Sequence, residues 1–248
     1  MKLDNLIAIR KNKKIYRDGN FAIKVFDETF SKIDVLNEAL NQSRVENIGL
    51  NVPKIYEVTM IDGKWSIVSE YIEGKTLAQL IEENPDKLEE YLEKLVKVQM
   101  DIHAKRVPLL SKLKDKMREK IAVADIDEIT KYDLETRLES MPRHNKLCHG
   151  DFDLTNVIIK ENGDAYVLDW AHVTQGNASA DIARTYLVFC LKGQKKMGKK
   201  YLDIFCKLSG TKKKYVQSWM PIVAASQSVK GNPEERDFLL SWVNVVDY

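Results

Sequence analysis

Three oxygen-bearing side chains follow one another in a segment of short apolar runs. Asp151 stands after a His-Gly pair, Asn156 comes five residues later, and Asp169 comes thirteen residues after Asn156, at the end of a predicted strand. Mg²⁺ prefers hard oxygen ligands and usually takes only one or two from the protein, which suits Asn156 and Asp169. A carboxylate such as Asp151 can accept the proton of an attacking hydroxyl. The pattern therefore predicts phosphoryl transfer.

Phosphoryl transfer also needs a cation for the phosphates, and Lys24 is the candidate. It lies in the middle of the apolar strand FAIKVF, where an ammonium group is costly to bury unless it is paired. Glu38 lies fourteen residues further on, in the following helix, and is the expected partner, with Glu28 and Glu46 as alternatives. A strand lysine paired with a helix glutamate is the arrangement that kinases use.

The elements that must position these residues begin with a strand-rich N-terminal part. Asp18-Gly19 and Asp62-Gly63 are typical of hairpin turns, and a near-helical apolar period predicts one helix between the hairpins. The predicted strands are Leu6–Ile9, Lys14–Arg17, Phe21–Phe26, Ile55–Met60 and Trp65–Tyr71, and the predicted helix is Phe30–Ile48.

Beyond Glu73-Gly74 the pattern becomes mainly helical, and Thr76 is the expected N-cap of a short helix. One small β-insert interrupts the helices. The predicted helical segments are 87–105, 109–124, 125–141 and the chain from Ala180 onward, and the predicted insert strands are Leu147–Cys148, Asn156–Lys160 and Ala165–Leu168.

These elements predict an α+β fold with two unequal lobes, a small antiparallel-β lobe and a larger, mainly helical lobe. We expect residues 1–72 to form a nucleotide-binding lobe with one helix, and residues 73–248 to form a catalytic and substrate lobe. Two unequal lobes leave a cleft in which a ligand can bind.

The composition excludes several classes of protein. Of the 248 residues, 44% are hydrophobic and 31% are charged, and the net charge of +2 is not the strongly basic balance typical of nucleic-acid-binding domains. The three cysteines form no CxxC pair, which favours a reduced cytoplasmic location over a disulfide framework or a zinc site. No apolar run approaches the ~20 residues that span a membrane, so no membrane partner is expected.

Several motifs spread over most of the chain form one known pattern. They are YRDGNFAIKVF in the N-terminal part, VSEYIEGKTL in the segment that joins the two parts, and CHGDFDLTN, VLDW and DIAR in the C-terminal part. Together they resemble the aminoglycoside phosphotransferase and choline kinase superfamily, which has a protein-kinase-like fold. The DIAR and WMPIVAAS segments look most like those of bacterial phosphotransferase-like members.

The resemblance implies an enzyme that uses Mg²⁺ and ATP, or GTP, to phosphorylate a hydroxyl of a small molecule such as an aminosugar, an aminoglycoside or an amino alcohol. Each functional residue is carried over by its matching position. The implied roles are catalysis by Asp151, Mg²⁺ binding by Asn156 and Asp169, phosphate binding by Lys24, support of Lys24 by Glu38, and adenine binding by the backbone of Glu70 and Ile72.

Two positions depart from the superfamily pattern. The turn expected over the phosphates, RKNKKI, contains no glycine, so close backbone contact with a phosphate is not expected there. Lys13 or Lys14 is the candidate side-chain substitute. Asp153-Leu154 replaces the His-Pro pair that many relatives carry after HGDF, which adds a carboxylate near Asp151.

Three other functions remain open at this stage. A catalytically weak pseudokinase would bind nucleotide without turnover, although the Lys, Asp, Asn and Asp set is complete. A protein kinase would carry HRD in place of HGD and a long activation loop after Asp169. A nucleic-acid binder would use the lysine runs, against the near-neutral charge. The oligomeric state does not follow from the sequence.

Some side chains near the motifs also have structural interpretations. His149 is expected to bond the loop backbone, and Asp181 is expected to cap a helix or to brace the HGD loop. Trp170, Trp219 and Trp242 could form an aromatic box for a quaternary amine, but such residues more often lie in the core.

Overall fold

The computed structural model describes residues 1–10, 12–229 and 233–243. The chain forms two compact units. The first unit contains Met1–Glu83 and Leu154–His172, and the second contains Asn84–Asp153 and the chain from Val173 onward. The first unit thus adds the segments 73–83 and 154–172 to the expected N-terminal lobe. The lobe boundary at 72/73 stays a prediction.

The first unit contains a five-stranded antiparallel sheet with the order β1-β2-β3-β5-β4. The turn between β4 and β5 has positive φ at Asp62 (49°) and Gly63 (75°), as a two-residue hairpin loop that matches strand twist requires. The strands are β1 Leu6–Arg10, β2 Lys13–Asp18, β3 Phe21–Phe26, β4 Ile55–Ile61 and β5 Lys64–Glu70.

Helix α1, Lys32–Val45, packs on one face of this sheet. It begins at Ser31, whose hydroxyl accepts the Asp34 N–H, while the Asp34 carboxylate accepts the Ser31 N–H. This capping box explains why the helix begins two residues after the predicted start. Val35 of α1 packs against Phe26 of β3 in one core cluster. The helix therefore has a fixed rotation about its axis, and Glu38 is among its buried residues.

A second, three-stranded sheet of the first unit has the order β6-β8-β9. Thr76 caps the following helix as predicted, because its hydroxyl accepts the Gln79 N–H at 3.2 Å. Gly74 is required before β6, since its φ is +151° and an added Cβ would lie 2.5 Å from the Ile159 carbonyl oxygen. These elements are β6 Lys75–Thr76, α2 Leu77–Glu83, β8 Val157–Ile159 and β9 Ala165–Val167.

The second unit is mainly helical and contains one small antiparallel sheet of β7 and β10. Helix α6 is its centre, since nearly all of its residues are buried. The elements are α3 Leu88–His103, α4 Leu113–Ala122, α5 Glu128–Ser140, β7 Lys146–Cys148, β10 Thr174–Gly176, α6 Ala178–Leu191, α7 Lys195–Ser209, α8 Lys213–Gln217, α9 Met220–Ser228 and α10 Pro233–Leu240. None of the described helices is both long enough and apolar enough to cross a bilayer.

The predicted single β-insert is in fact two separate pairings. Strand β7 pairs with β10, whereas the β8–β9 hairpin pairs with β6. The prediction missed β6 and β10 because two- and three-residue strands carry no periodic signal of their own. Trp170 and Trp219 follow their structural interpretation, since both are fully buried, whereas Trp242 is half-buried.

Candidate functional site

One cavity of the first unit, which we call the sheet cavity, has a volume of about 270 Å³. Its wall combines apolar side chains of the five-stranded sheet with polar groups from α1, the connector (residues 70–76) and the end of the β8–β9 hairpin. The predicted site residues on this wall are Lys24, Glu38, Glu70, Ile72, Asn156 and Asp169.

A chain of ion pairs crosses the sheet cavity. Lys24 Nζ lies 2.6 Å from Glu38 Oε1 and 3.5 Å from Asp169 Oδ1. The pairing of Lys24 with Glu38, rather than with Glu28 or Glu46, is the one favoured by the sequence. Glu46 instead accepts the backbone N–H of Ile55 at 2.9 Å. The geometry thus joins the strand lysine, the helix glutamate and the hairpin aspartate.

These partners fix the charge of Lys24. Burial by itself lowers the pKa of this lysine, but the charges and hydrogen bonds of Asp169 and Glu38 outweigh burial and raise its pKa above the ordinary value. Lys24 is therefore positively charged throughout the physiological pH range, and it offers an anion a permanent partner.

A second lysine shares the Glu38 carboxylate. Lys13 Nζ lies 2.7 Å from Glu38 Oε2 and 5.0 Å from the centre of the Phe26 ring. Strand register explains the contact, because Lys13 stands opposite Phe26 and Ile15 stands opposite Lys24. Residues directly opposite in antiparallel strands point to the same face. Lys13 therefore lies on the cavity face of the sheet, whereas its neighbour Lys14 is exposed.

The β8–β9 hairpin brings Asn156 and Asp169 to one end of a ladder. Val157 pairs with Val167, and the Leu168 N–H donates to the Asn156 carbonyl at 2.8 Å. Asp169 follows with φ of +60°, a left-handed conformation that costs of order 1–3 kcal/mol in a non-glycine residue. Amide and carboxylate oxygens at adjacent positions are the donor types that fit Mg²⁺.

The connector contributes backbone groups to the cavity wall. The N–H groups of Glu70 and Tyr71 donate to the carbonyls of Lys54 and Asn20, both at 2.8 Å. Within the described residues, the backbone hydrogen bonds leave the N–H of Ile72 unused. Ile72 lines the sheet cavity together with Glu70. A donor on this edge suits the ring nitrogen of a purine.

Asp151 lies in the second unit, in the HGD loop (His149–Asp153), which helix α6 holds in place. The Asp181 carboxylate accepts the N–H of His149 at 3.2 Å and that of Gly150 at 2.8 Å. Gly150 has φ of +80°, which a glycine adopts without strain. Thr185, four residues after Asp181, donates to the Phe152 carbonyl at 2.9 Å. One face of α6 thus fixes the loop backbone.

The same face of α6 also holds the Asp151 side chain. Arg184 Nη2 lies 3.1 Å from Asp151 Oδ1, and the arginine side chain is 17% exposed. Sequence reasoning missed this contact, although Arg184 ends the DIAR motif. The signal was its spacing, because Asp181, Arg184 and Thr185 are three and four residues apart and share a helix face. The added carboxylate Asp153 pairs with Lys192 at 2.7 Å.

Asp181 is a buried anion held by donors. Burial raises its pKa, but the hydrogen bond from His103 at 2.9 Å, the charges of His103 and His149 and the Gly150 N–H together lower the pKa to about 2. His149 keeps its structural interpretation, since its Nδ1 accepts the Asp151 N–H at 3.2 Å. Of the two structural roles expected for Asp181, capping a helix or bracing the HGD loop, its contacts with His149 and Gly150 correspond to the second.

Comparisons with known proteins identify the family of this chain and the proteins that share its fold. The model of the phosphotransferase enzyme family matches residues 17–214. Two crystal structures are similar in fold: a thermostable mutant of the aminoglycoside phosphotransferase APH(4)-Ia in its apo form, and the choline kinase LicA from Streptococcus pneumoniae. The first has a TM-score of 0.69 at 16% identity and covers 96% of this chain and 92% of its own. The second has a TM-score of 0.66 at 15% identity, with 98% and 92% covered.

A choline/ethanolamine kinase family protein from Mesorhizobium loti shows the same likeness, with a TM-score of 0.65 at 13% identity over 99% of this chain and 89% of that one. No curated protein matches the chain significantly by sequence. The fold is the protein-kinase-like fold of aminoglycoside phosphotransferases and choline kinases, with an antiparallel-β part and a helical part. The chain belongs to the phosphotransferase enzyme family, as its motifs indicated.

The ionisation of Asp181 predicts how the free energy of unfolding depends on pH. Its pKa is lowered from 3.8 to about 2 in the folded protein, so its ionised form stabilises the fold by about 2 kcal/mol above about pH 5. That contribution is lost as the pH falls towards 2. We expect Asp181→Asn to lower the free energy of unfolding at pH 7, and the difference from the wild type to shrink towards pH 3, as measured by urea unfolding.

The exposed turn residue Asp164 gives the control, because Asp164→Asn is expected to change the free energy of unfolding by no more than ~0.5 kcal/mol. A wild-type advantage over Asp181→Asn that stays constant between pH 7 and pH 3 would contradict the assignment of a stabilising charge.

Proposed function

We propose that this phosphotransferase moves the γ-phosphoryl group of ATP to a hydroxyl of a small molecule, with Mg²⁺ as the metal. The observation that carries the proposal is the ion-pair chain of Lys24, Glu38 and Asp169 on the wall of a cavity that Asn156 also lines. Family membership supports phosphoryl transfer as the class of reaction.

The nucleotide would occupy the sheet cavity. Lys24 would bind its phosphates, and Glu38 would hold Lys24 in position. The connector would bind the adenine edge through the Glu70 carbonyl and the Ile72 N–H. Nucleotide complexes of similar folds support this role, since APH(4)-Ia has been solved with AMP-PNP and hygromycin B, and LicA with AMP.

Asn156 and Asp169 would hold the metal, because they offer hard oxygen donors at the end of one hairpin. Bound there, Mg²⁺ would neutralise the charge of the phosphates. Lys24 would add a second positive charge beside Asp169, from 3.5 Å away. The chain itself would thus supply two ligands and one fixed cation.

Asp151 would act on the acceptor. It would accept the hydroxyl proton as the acceptor oxygen bonds to the γ-phosphorus and the bond to the ADP oxygen breaks. Arg184 would keep the Asp151 carboxylate oriented through its 3.1 Å contact. Such a reaction depends mainly on positioning and on charge stabilisation, which a loop fixed by three side chains of α6 can supply.

The acceptor class would be a hydroxylated amine or sugar. Hygromycin B in complexes of APH(4)-Ia and the choline kinase name of LicA support a small molecule. Of the three tryptophans considered for an aromatic box, Trp170 and Trp219 are fully buried and cannot face a quaternary amine, and Trp242 is half-buried against the rings of Tyr186 and Phe238. We therefore favour an aminosugar or another polyhydroxylated acceptor over choline.

Two substitutions test the proposed roles separately. Asp151→Asn should keep the affinity for Mg·ATP and lose turnover by about 10²–10⁴-fold, the usual contribution of a general base. Asp169→Ala should lose Mg²⁺-dependent nucleotide affinity. Calorimetry with Mg·ATP measures binding, and ADP release across a panel of aminosugars, amino alcohols and nucleosides measures turnover.

Asp164→Ala, at the other end of the β8–β9 hairpin, is the matched control and should leave both quantities unchanged. Full turnover in Asp151→Asn removes that residue from its role. Undiminished Mg·ATP affinity in Asp169→Ala contradicts the metal site. ATP binding without turnover on any acceptor would favour the pseudokinase alternative, and phosphate transfer to proteins would favour a protein kinase.

A second prediction concerns Arg184 as the residue that positions the Asp151 carboxylate. Arg184→Met should lower kcat by about 10²-fold, the scale expected when a reacting group is misplaced by about 1 Å, and leave the KM for ATP unchanged. Arg184→Lys should recover part of the loss, because it keeps a cation near Asp151. A rise in the KM for ATP at constant kcat would contradict the assignment.

A third prediction concerns Lys13. The β1–β2 turn lacks the glycines that usually let backbone N–H groups approach phosphates, so a lysine side chain would have to bind the phosphate instead. Lys13 shares the Glu38 carboxylate with Lys24, and it would move to a phosphate when nucleotide binds. Lys13→Ala should weaken ATP binding about tenfold, as expected for one charge-assisted hydrogen bond. The exposed Lys14→Ala is the control, and equal losses in both variants would contradict the role.

A further inference from the structure

A second cavity, which we call the helical cavity, lies within the second unit and has a volume of about 680 Å³. That volume falls in the range of small-molecule sites. Its wall is formed by the end of α3, the start of α6, the end of α7 and the segment before α8. None of its lining residues lines the sheet cavity.

The wall of the helical cavity carries two exposed ammonium groups, and no carboxylate is among its lining residues. Lys146, Lys212 and His144 line it together with the buried His103, and its described lining residues include no Asp or Glu. Neither Lys146 nor Lys212 has an ion-pair partner among the residues that the structure describes, whereas the adjacent Lys213 pairs with Asp203 at 2.5 Å. The two unpaired ammonium groups favour an anion.

The start of helix α6 adds to this preference. Asn177 caps the helix by accepting the Ser179 N–H at 2.9 Å, and its side-chain amide donates to the Tyr215 hydroxyl at 2.7 Å. Asn177, Ala178 and Ser179 all line the cavity. The N-terminal end of a fourteen-residue helix carries partial positive charge from its backbone dipoles. The hydroxyl groups of the lining residues Ser179, Ser209 and Thr211 can donate to the same anion.

Part of the cavity wall is apolar, which favours an anion with an apolar body over an inorganic ion. Met100, Ala104, Phe205 and Leu208 form that part. An inorganic ion would leave this surface in contact with water, whereas a ligand with an apolar body would cover it. We propose that the helical cavity binds a small organic anion, a carboxylate or phosphate monoester on an apolar or aromatic body.

The cavity is linked to the HGD loop through a buried histidine. His103 is 4% exposed and lines the cavity, and its Nε2 lies 2.9 Å from Asp181. Its Nδ1 is buried without a hydrogen-bond partner among the described residues. Asp181 in turn accepts the N–H groups of His149 and Gly150. An anion bound against His103 would hold this ring on Asp181 and so stabilise the loop that carries Asp151, and the effect of this on turnover rests on the proposed function.

The binding test uses the full chain without nucleotide, with phenyl phosphate, phenylacetate and the neutral 2-phenylethanol as probes in calorimetry. We expect saturable binding of at least one anion, none of the alcohol, and a loss of at least tenfold in Lys146→Ala and Lys212→Ala. Lys214→Ala is the matched control, because this exposed lysine stands two residues after Lys212 outside the lining, and it should bind as the wild type does. Comparing the two anions shows which head group the site prefers.

Lys24→Ala separates this site from the sheet cavity, and it should leave the anion affinity unchanged. No saturable binding of either anion, an equal loss in Lys214→Ala, or loss of binding in Lys24→Ala would overturn the proposal. Saturable binding with the expected pattern supports it even where no acceptor is phosphorylated, so its outcome is independent of the phosphotransferase assay.

Amide hydrogen exchange tests the link to the loop. Saturating anion should slow exchange at the His149 and Gly150 N–H groups several-fold, because both groups bond Asp181. Backbone amides of the β4–β5 turn around Gly63 should exchange at an unchanged rate. Unaltered exchange at His149 and Gly150 under saturation would overturn the link.

Discussion

The buried carboxylate of Glu38 is the constraint on which the first unit depends. It is 6% exposed and bonds two ammonium groups, those of Lys13 and Lys24. A buried charge without a partner costs several kcal/mol, so helix and sheet must keep the rotation and register that bring these side chains together. The Ser31 capping box and the packing of Val35 on Phe26 set that rotation. The position of Lys24 in the sheet cavity follows from it.

Helix α6 plays the corresponding part in the second unit. Asp181, Arg184 and Thr185 lie on one face, and between them they bond backbone and side-chain groups of the HGD loop. Loops have few internal contacts of their own, so a rigid element must determine their conformation. A helix buried on all sides is suited to this, because it cannot rotate to release one contact without losing the others.

Local sequence signals account for much of this arrangement. Turn residues predicted the hairpins, and the placement of Lys24 and Glu38 on consecutive elements predicted their ion pair, which is present. Contacts between distant segments were mostly missed, apart from the bracing of the HGD loop by Asp181, which was one of its two expected roles. The contact of Arg184 with Asp151 spans 33 residues, and β10 becomes a strand only by pairing with β7. Lys13 and Lys14 were equivalent in the sequence, and strand register alone distinguishes them. The functional roles of all these residues stay predictions.

Each unit places a cation beside a carboxylate of the candidate site. Arg184 Nη2 contacts Asp151 Oδ1 at 3.1 Å. Lys24 contacts Asp169, and the two carboxylates beside this lysine raise its pKa further. The raised pKa of Lys24 makes this lysine a poor proton donor in the proposed reaction. The contribution of the two cations to the proposed reaction would be position and charge, and Asp151 is the group that we propose to take up the hydroxyl proton.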